Sequence, residues 1–139
     1  MATDFREALR RGADLFNRRR FFEAHEAWEE RWLIETGEAR LLLHGLIQVA
    51  AGFVKLQRGA PRGAVLNLEK GAARLERLPP GCLRVDLAGL LGSVARWRRT
   101  AAEMAAAGRS AYDATALPHL DLREDEVPEP PPRGGRPAG

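Results

Sequence analysis

The stretch from Glu38 to Arg58, EARLLLHGLIQVAAGFVKLQR, decides the fold. Its apolar residues recur at helical spacing and cover most of the circumference of a helix. A narrow polar strip remains, and it consists of Arg40, His44, Gln48, Lys55 and Arg58. A helix that is apolar nearly all round is buried by its neighbours, so this stretch predicts a central helix surrounded by others.

Two glycines interrupt this helix on one face, at Gly45 and Gly52. Glycine lowers helix propensity, so its presence here indicates the close approach of a bulky neighbour. We expect that neighbour to be Trp28 or Trp32.

Helical periodicity recurs along the chain, whereas the alternation of apolar and polar residues that is typical of a strand does not. Asp4 and Glu7 have the spacing of a capping box, and Pro61 suits a first helical turn. The predicted fold is all-α, a compact bundle of about five helices around one central apolar helix. The other four helices are expected at about 4–16, 21–33, 61–78 and 86–107.

The expected domain organisation is a helical domain over residues 1–112 and a tail over 113–139. The tail is mostly irregular, acidic at first and then rich in proline and glycine, and its end lacks the apolar content needed to fold. Neither a signal peptide nor a membrane-spanning run is evident, and Cys82 is the single cysteine. These features predict a cytoplasmic protein that does not associate with membranes.

The net charge of +3 comes almost entirely from arginine, with clusters at 18–20 and 96–99. Such clusters could contact phosphates, but solvated helix ends are the more ordinary explanation. Nucleic-acid binding is therefore the less favoured interpretation.

The candidate site lies in the segment Phe21–Leu33, FFEAHEAWEERWL. On a helix, His25 and Glu29 are one turn apart and fall in the middle of an arc that also holds the aromatic residues of this segment. An ionisable pair that points toward a core must be hydrogen-bonded, paired or bound to a ligand. The pair is therefore expected either to stabilise the core or to form a site.

Known metal motifs do not fit this segment. The sequence HExxE lacks the second histidine of a zinc-peptidase motif, and no second helix carries the Glu-x-x-His of a di-iron bundle. A divalent metal stays a candidate cofactor, with His25 and Glu29 as two of its ligands. Other groups would have to complete the coordination shell. The same two residues are the candidate catalytic residues. The candidate ligand-binding residues are Glu26, Trp32, His44 and Gln48, with Gln48 as the expected partner of the pair.

Two longer stretches resemble a known family, the domain-of-unknown-function family 309. They are FNRRRFFEAHEAWEERW and LLLHGLIQVAAGFVKLQRGAPRGAVLNLEKGAARL, and the likeness covers residues 16–78. The resemblance implies a small all-helical protein with a central helix, and it implies no established activity. The family's characteristic polar positions correspond here to Glu23, His25, Glu26, Glu29, Trp32, Gly45 and Gln48.

Two functions stay open at this point. The preferred hypothesis is a polar pocket between the second and third helices that binds a small molecule or a metal ion and supports hydrolysis. In that hypothesis His25 is a ligand or general base, and Glu29 is a co-ligand or an orienting carboxylate. The alternative is a non-catalytic interaction module in which the pair is structural. The sequence leaves open whether the protein is an enzyme and whether the chain forms a homo-oligomer.

Overall fold

The computed structural model describes residues 4–122, which contain five α-helices. The helices are α1 (Phe5–Asn17), α2 (Phe21–Trp32), α3 (Gly37–Gln57), α4 (Pro61–Leu75) and α5 (Leu87–Ala107). A short 3₁₀ turn lies between α4 and α5 at Cys82–Arg84, and another follows α5 at Ala114–Ala116. The described residues form no strand, and their one isolated bridge joins Val85 and Leu122. The predicted all-α bundle is confirmed. The predicted disorder at the end of the tail lies outside the described residues.

The helix ends follow from local sequence. The carboxylate of Asp4 accepts a hydrogen bond from the backbone N–H of Glu7 at 2.8 Å, as the capping-box spacing predicts. Asp86 caps α5 in the same way through Gly89 at 3.0 Å. Gly108 ends α5 with a φ of 63°, a left-handed conformation that glycine adopts without strain.

Helix α3 occupies the centre of the bundle. It packs against α2 on one side and α4 on the other, while α1 packs against α2 and α5 against α4. By length and composition α3 could also cross a membrane, but 67% of its most apolar window is buried against the rest of the chain. The core helix of a globular domain has this same character.

The glycines of α3 have different neighbours from those that the sequence predicts. A β-carbon at Gly45 would meet the side chain of Leu75, and one at Gly52 would meet Leu68. Both leucines belong to α4, so the glycines allow α3 and α4 to approach closely. Trp28 instead packs on Gly12 of α1, because α2 lies between α1 and α3.

The segment that follows α5 folds back onto the end of α1. Asn17 exchanges two hydrogen bonds with the backbone of Leu120, at 2.7 and 3.1 Å. Arg19 donates to the carbonyls of Leu117 and Pro118, both at 2.8 Å. Leu117 and Leu120 are buried, so the packed domain extends to the last described residue, Leu122.

Candidate functional site on α2, α3 and α4

Helices α2 and α3 run antiparallel, and ring contacts define their register. Phe22 at the start of α2 lies 5.4 Å from the guanidinium carbon of Arg58 at the end of α3. Trp32 at the end of α2 lies 5.0 Å from the ring of His44 in the first half of α3. The outer edge of α2 therefore follows the polar strip of α3.

His25 and Glu29 form a close pair, with 3.2 Å between Nε2 and Oε2. The pair lies at the edge of the core rather than in the middle of its apolar side, since 27% and 47% of the two side chains is exposed. The buried stripe of α2 consists of Phe21, Ala24 and Trp28. Because Ala24 belongs to this stripe, the centre of the buried side of α2 lies away from His25. The positions of the large aromatic residues alone do not predict this.

The two ring nitrogens of His25 have different surroundings. Nε2 lies 3.2 Å from the Glu29 carboxylate. Nδ1 is buried and has no hydrogen-bond partner within residues 4–122. A general base must reach the proton that it removes. In the structure, one ring nitrogen of His25 is therefore next to a carboxylate and the other is enclosed.

Gln48 is joined to α4 and not to the His25–Glu29 pair. Its Oε1 accepts a hydrogen bond from Nε of Arg74 at 2.8 Å. Within residues 4–122 it makes no hydrogen bond to either member of the pair. The prediction that Gln48 completes the pair is wrong, because the register of α3 against α4 brings Arg74 to the amide oxygen, and the amide nitrogen donates to neither residue of the pair within residues 4–122.

Trp32, Arg40 and His44 form a second group beside Gln48. The Arg40 guanidinium lies 4.2 Å from the centre of the Trp32 ring and donates to the carbonyls of Trp32 and Glu35, at 3.0 and 3.2 Å. The indole N–H of Trp32 is buried and has no acceptor. An enclosed donor of this kind costs about 1–3 kcal/mol and is uncommon in folded proteins.

His44 lies in a positive electrostatic environment. Burial lowers its pKa from the usual 6.5, and the guanidinium groups of Arg74 and then Arg40 lower it further. Both arginines are therefore close enough to His44 to act on its charge. The structure thus brings together Trp32 from α2, His44 and Gln48 from α3, and Arg74 from α4.

Sequence reasoning missed Arg74 and did not include Arg40 among the candidate site residues. Arg40 is on the same polar strip as His44 and Gln48, at spacings of four and eight residues, so periodicity could have included it. Arg74 carries no such signal, because only the register between α3 and α4 places it at Gln48. Glu35 was also missed. It is 3% exposed and pairs with Arg31 at 2.8 Å.

The remaining candidate, Glu26, lies in a separate cleft between α1 and α2. That cleft has a volume of about 300 Å³. Its lining residues are Arg11, Leu15, Glu23, Glu26, Ala27 and Glu30. Glu26 therefore does not join the group around His44.

Metal ligation at His25 and Glu29 stays a prediction. Between Asp4 and Leu122, the structure gathers no group of three or more His, Cys, Asp or Glu side chains that could hold a metal ion. The pair supplies two ligands, so water or a bound molecule would have to supply the others.

The arginine clusters are largely engaged within the chain. Arg18 pairs with Asp14 at 3.4 Å, and Arg20 pairs with Glu23 at 2.7 Å. Trp97 is 7% exposed and donates to a backbone carbonyl, so it packs in the core. These contacts leave no exposed aromatic residue beside the second arginine cluster for stacking on a base.

Comparison with known proteins finds a family that matches part of the chain. Residues 9–67 match the family model described as Domain of unknown function (DUF309). No curated protein matches the chain. The matched segment contains His25, Glu29, Trp32, His44 and Gln48, and it ends before Arg74.

Proposed function

Residues 9–67 of this chain match the DUF309 family, and we propose that the helical domain that contains them binds a small molecule on the α2–α3–α4 polar face. We define this face by seven residues: His25, Glu29, Trp32, Arg40, His44, Gln48 and Arg74. In this proposal the face recognises its ligand and does not hydrolyse it. A cytoplasmic location, predicted from the sequence, accompanies the proposal.

The observation that carries the proposal is the enclosed indole N–H of Trp32, which lacks an acceptor. The indole belongs to a group of side chains that three helices bring together. It lies beside His44, whose pKa is lowered by the charges of Arg74 and Arg40. Buried polar groups are normally satisfied, and an unsatisfied one in a native fold calls for a reason. A ligand that displaces an enclosing side chain and offers an acceptor supplies that reason.

The state of His25 favours binding over hydrolysis. Nδ1 of His25 is buried, while Nε2 lies 3.2 Å from the carboxylate of Glu29. General base catalysis needs an accessible lone pair within hydrogen-bond distance of the reacting group. The pair thus supports the edge of the polar face and does not activate a nucleophile.

A thermal-shift screen tests this function. Wild-type protein is heated with neutral, cationic and anionic metabolites and with divalent metals, and a ligand that binds the folded state raises the Tm. We expect at least one metabolite to raise the Tm of the wild type and of Arg98→Gln, but not of His44→Gln. Arg98 is a matched control because it pairs with Glu69 on the surface.

Two results would contradict the proposal. One is the absence of any metabolite that raises the Tm. The other is an increase that is equal in wild type and His44→Gln.

A non-catalytic interaction module is the second candidate, and exposed apolar side chains favour it. Leu33 and Ile34 are 60% and 37% exposed, and both follow directly after α2. Exposed apolar residues that cluster can mark a protein contact. Analytical ultracentrifugation of wild type and Leu33→Glu tests for self-association, which the substitution should abolish if these residues form the contact.

A further inference from the structure

We propose that the group recognised on the α2–α3–α4 polar face is a small oxyanion, a phosphate or a carboxylate, held between Arg74 and His44. This inference rests on the proposed function, and it adds the chemical class of the ligand. The observation behind it is an excess of hydrogen-bond donors over acceptors at this face.

Arg74 has donors to spare. Its Nε binds Gln48 at 2.8 Å, and it makes no other hydrogen bond or ion pair within residues 4–122. Since a guanidinium group carries five N–H donors, four are left for another partner. The amide nitrogen of Gln48 adds two more donors, because Gln48 uses its oxygen toward Arg74.

The neighbouring carboxylates are engaged elsewhere. Glu29 pairs with His25 at 3.2 Å, and Glu35 pairs with Arg31 at 2.8 Å. In the described part of the chain, no carboxylate lies within 4.0 Å of a side-chain nitrogen of Arg40 or Arg74.

Several other arginines of the chain differ from Arg74 because they have a carboxylate partner. Arg18, Arg20 and Arg98 each have an acidic partner, at 3.4, 2.7 and 3.2 Å. These three arginines lie at exposed positions, whereas Arg74 is half-buried. Arg31 is also half-buried and pairs with Glu35, whereas Arg74 has no carboxylate partner among the described residues, and a counter-charge is worth most where solvent screens least.

Within the part of the chain that the structure describes, the surroundings of His44 likewise lack a negative charge to balance the two arginines. Its ring faces Trp32 from α2, Arg40 from its own helix and Arg74 from α4, and neither arginine has a carboxylate partner. A bound anion would offset the field of both guanidinium groups and would let His44 take a proton. The cationic histidine would then become a further donor to the anion.

The geometry also restricts the kind of anion. The planar fork of an arginine matches two oxygens of a carboxylate or phosphate at once. The Trp32 ring is covered by Arg40 at 4.2 Å and flanked by His44 at 5.0 Å. Arg40 thus occupies one face of the indole, and the unused donors of Arg74 favour recognition of charged oxygens over stacking of a nucleobase.

Isothermal titration calorimetry with inorganic phosphate, and separately with acetate, tests the inference on the full chain. Sodium chloride keeps the ionic strength constant, which separates a site from general screening. We expect saturable binding of one or both anions, with a Kd of about 1 mM or below. The two probes distinguish a phosphate site from a carboxylate site.

Two variants locate the binding. Arg74→Gln should weaken it at least about tenfold. Gln48→Glu keeps an acceptor for Arg74 and places a negative charge where the anion would bind, so it should abolish binding while the protein stays folded. Ala102→Glu adds the same charge at an exposed position of α5 and should leave the Kd unchanged.

The inference fails if neither anion binds saturably, or if Gln48→Glu binds as tightly as Ala102→Glu. That failure is distinct from failure of the proposed function. If neutral or cationic metabolites raise the Tm of wild type but not of His44→Gln, the face binds a ligand and only its assigned class is wrong. If no class does so, both proposals fail.

Discussion

The Nε of Arg74 donates to Oε1 of Gln48 across 2.8 Å, and this hydrogen bond joins the polar strip of α3 to α4. The contact brings a half-buried cation to the part of the polar face that contains His44. It also takes up the amide oxygen that would otherwise be available to His25. The character of the candidate site therefore depends on how α4 packs against α3.

That packing leads to a first prediction, on Gly71→Ala. A β-carbon at Gly71 would lie 2.7 Å from a methyl group of Val49 and 2.9 Å from backbone atoms of Gly45 and Val49. Backbone atoms cannot move aside cheaply, so we expect a loss of about 1–3 kcal/mol of stability despite the better helix propensity of alanine. Urea denaturation measures the change.

Gly92 provides the matched control within α5. A β-carbon there would meet a single side-chain atom, of Arg96, at an ordinary 3.7 Å. Gly92→Ala should therefore stabilise the protein by about 0.5–1 kcal/mol. If the two substitutions change stability in the same direction, the close approach of α3 and α4 is not as described.

A second prediction concerns the reactivity of Cys82. Burial, together with the charge and hydrogen bond of Glu38, raises the pKa of this thiol to about 11. The thiolate is the reactive form, so modification by a disulfide reagent at pH 8 should be at least about a hundredfold slower in the folded protein than in urea. Glu38→Gln should speed the reaction only in part, because burial is the larger cause. Equal rates with and without urea would contradict this environment.

A third prediction is the pH dependence that His44 confers. Its pKa is lowered by burial, by Arg74 and by Arg40, so the unfolded chain binds the proton more readily than the folded protein. Stability from this group should therefore fall as the pH drops below 6.5, the ordinary histidine value. Above that value the group contributes no slope.

Comparison of wild type with His44→Gln isolates this contribution, since the other histidines are common to both. Unfolding free energies at pH 7.5 and 5.0 should show a larger loss for the wild type. Arg74→Gln should move the NMR titration midpoint of His44 upward. A midpoint at or above 6.5 in the wild type would be inconsistent with the two arginines facing the ring.

A fourth prediction is that the His25–Glu29 pair contributes little to folding. Ion pairs this exposed are worth about 0–1 kcal/mol, and replacement of His25 by leucine also removes an unsatisfied buried nitrogen. The double variant His25→Leu/Glu29→Met should therefore unfold within about 1 kcal/mol of the wild type. Phe21→Ala, in the buried stripe of the same helix, should cost about 3–5 kcal/mol. A loss from the double variant as large as that from Phe21→Ala would show that the pair holds the core together.

Helical period and capping residues were enough to predict the bundle. The run from Leu41 to Leu56 identified the central helix because its apolar character is local information. Asp4 and Pro61 marked helix starts for the same reason, since a cap or a first-turn proline acts on its own turn.

The composition of the site depended on register between helices, which no local pattern contains. Gly45 faces Leu75 and Gly52 faces Leu68, so α3 and α4 run antiparallel, and this alignment brings Arg74 to Gln48. The sequence shows that Gly45 and Gly52 must be approached, but not by which helix. For α2, the small Ala24 in the buried stripe turned His25 toward the edge, where large aromatic residues had suggested the centre.

The central claim is that the α2–α3–α4 polar face binds a ligand, and the indole N–H resonances of the three tryptophans test it most directly. In the structure the Trp28 and Trp97 indoles donate to backbone carbonyls, whereas the Trp32 indole has no acceptor. The measurement is a ¹H–¹⁵N correlation spectrum recorded during titration with a ligand from the thermal-shift screen. The account predicts that the Trp32 resonance moves saturably while those of Trp28 and Trp97 stay in place. A Trp32 resonance that stays in place while the ligand saturates the protein would contradict it.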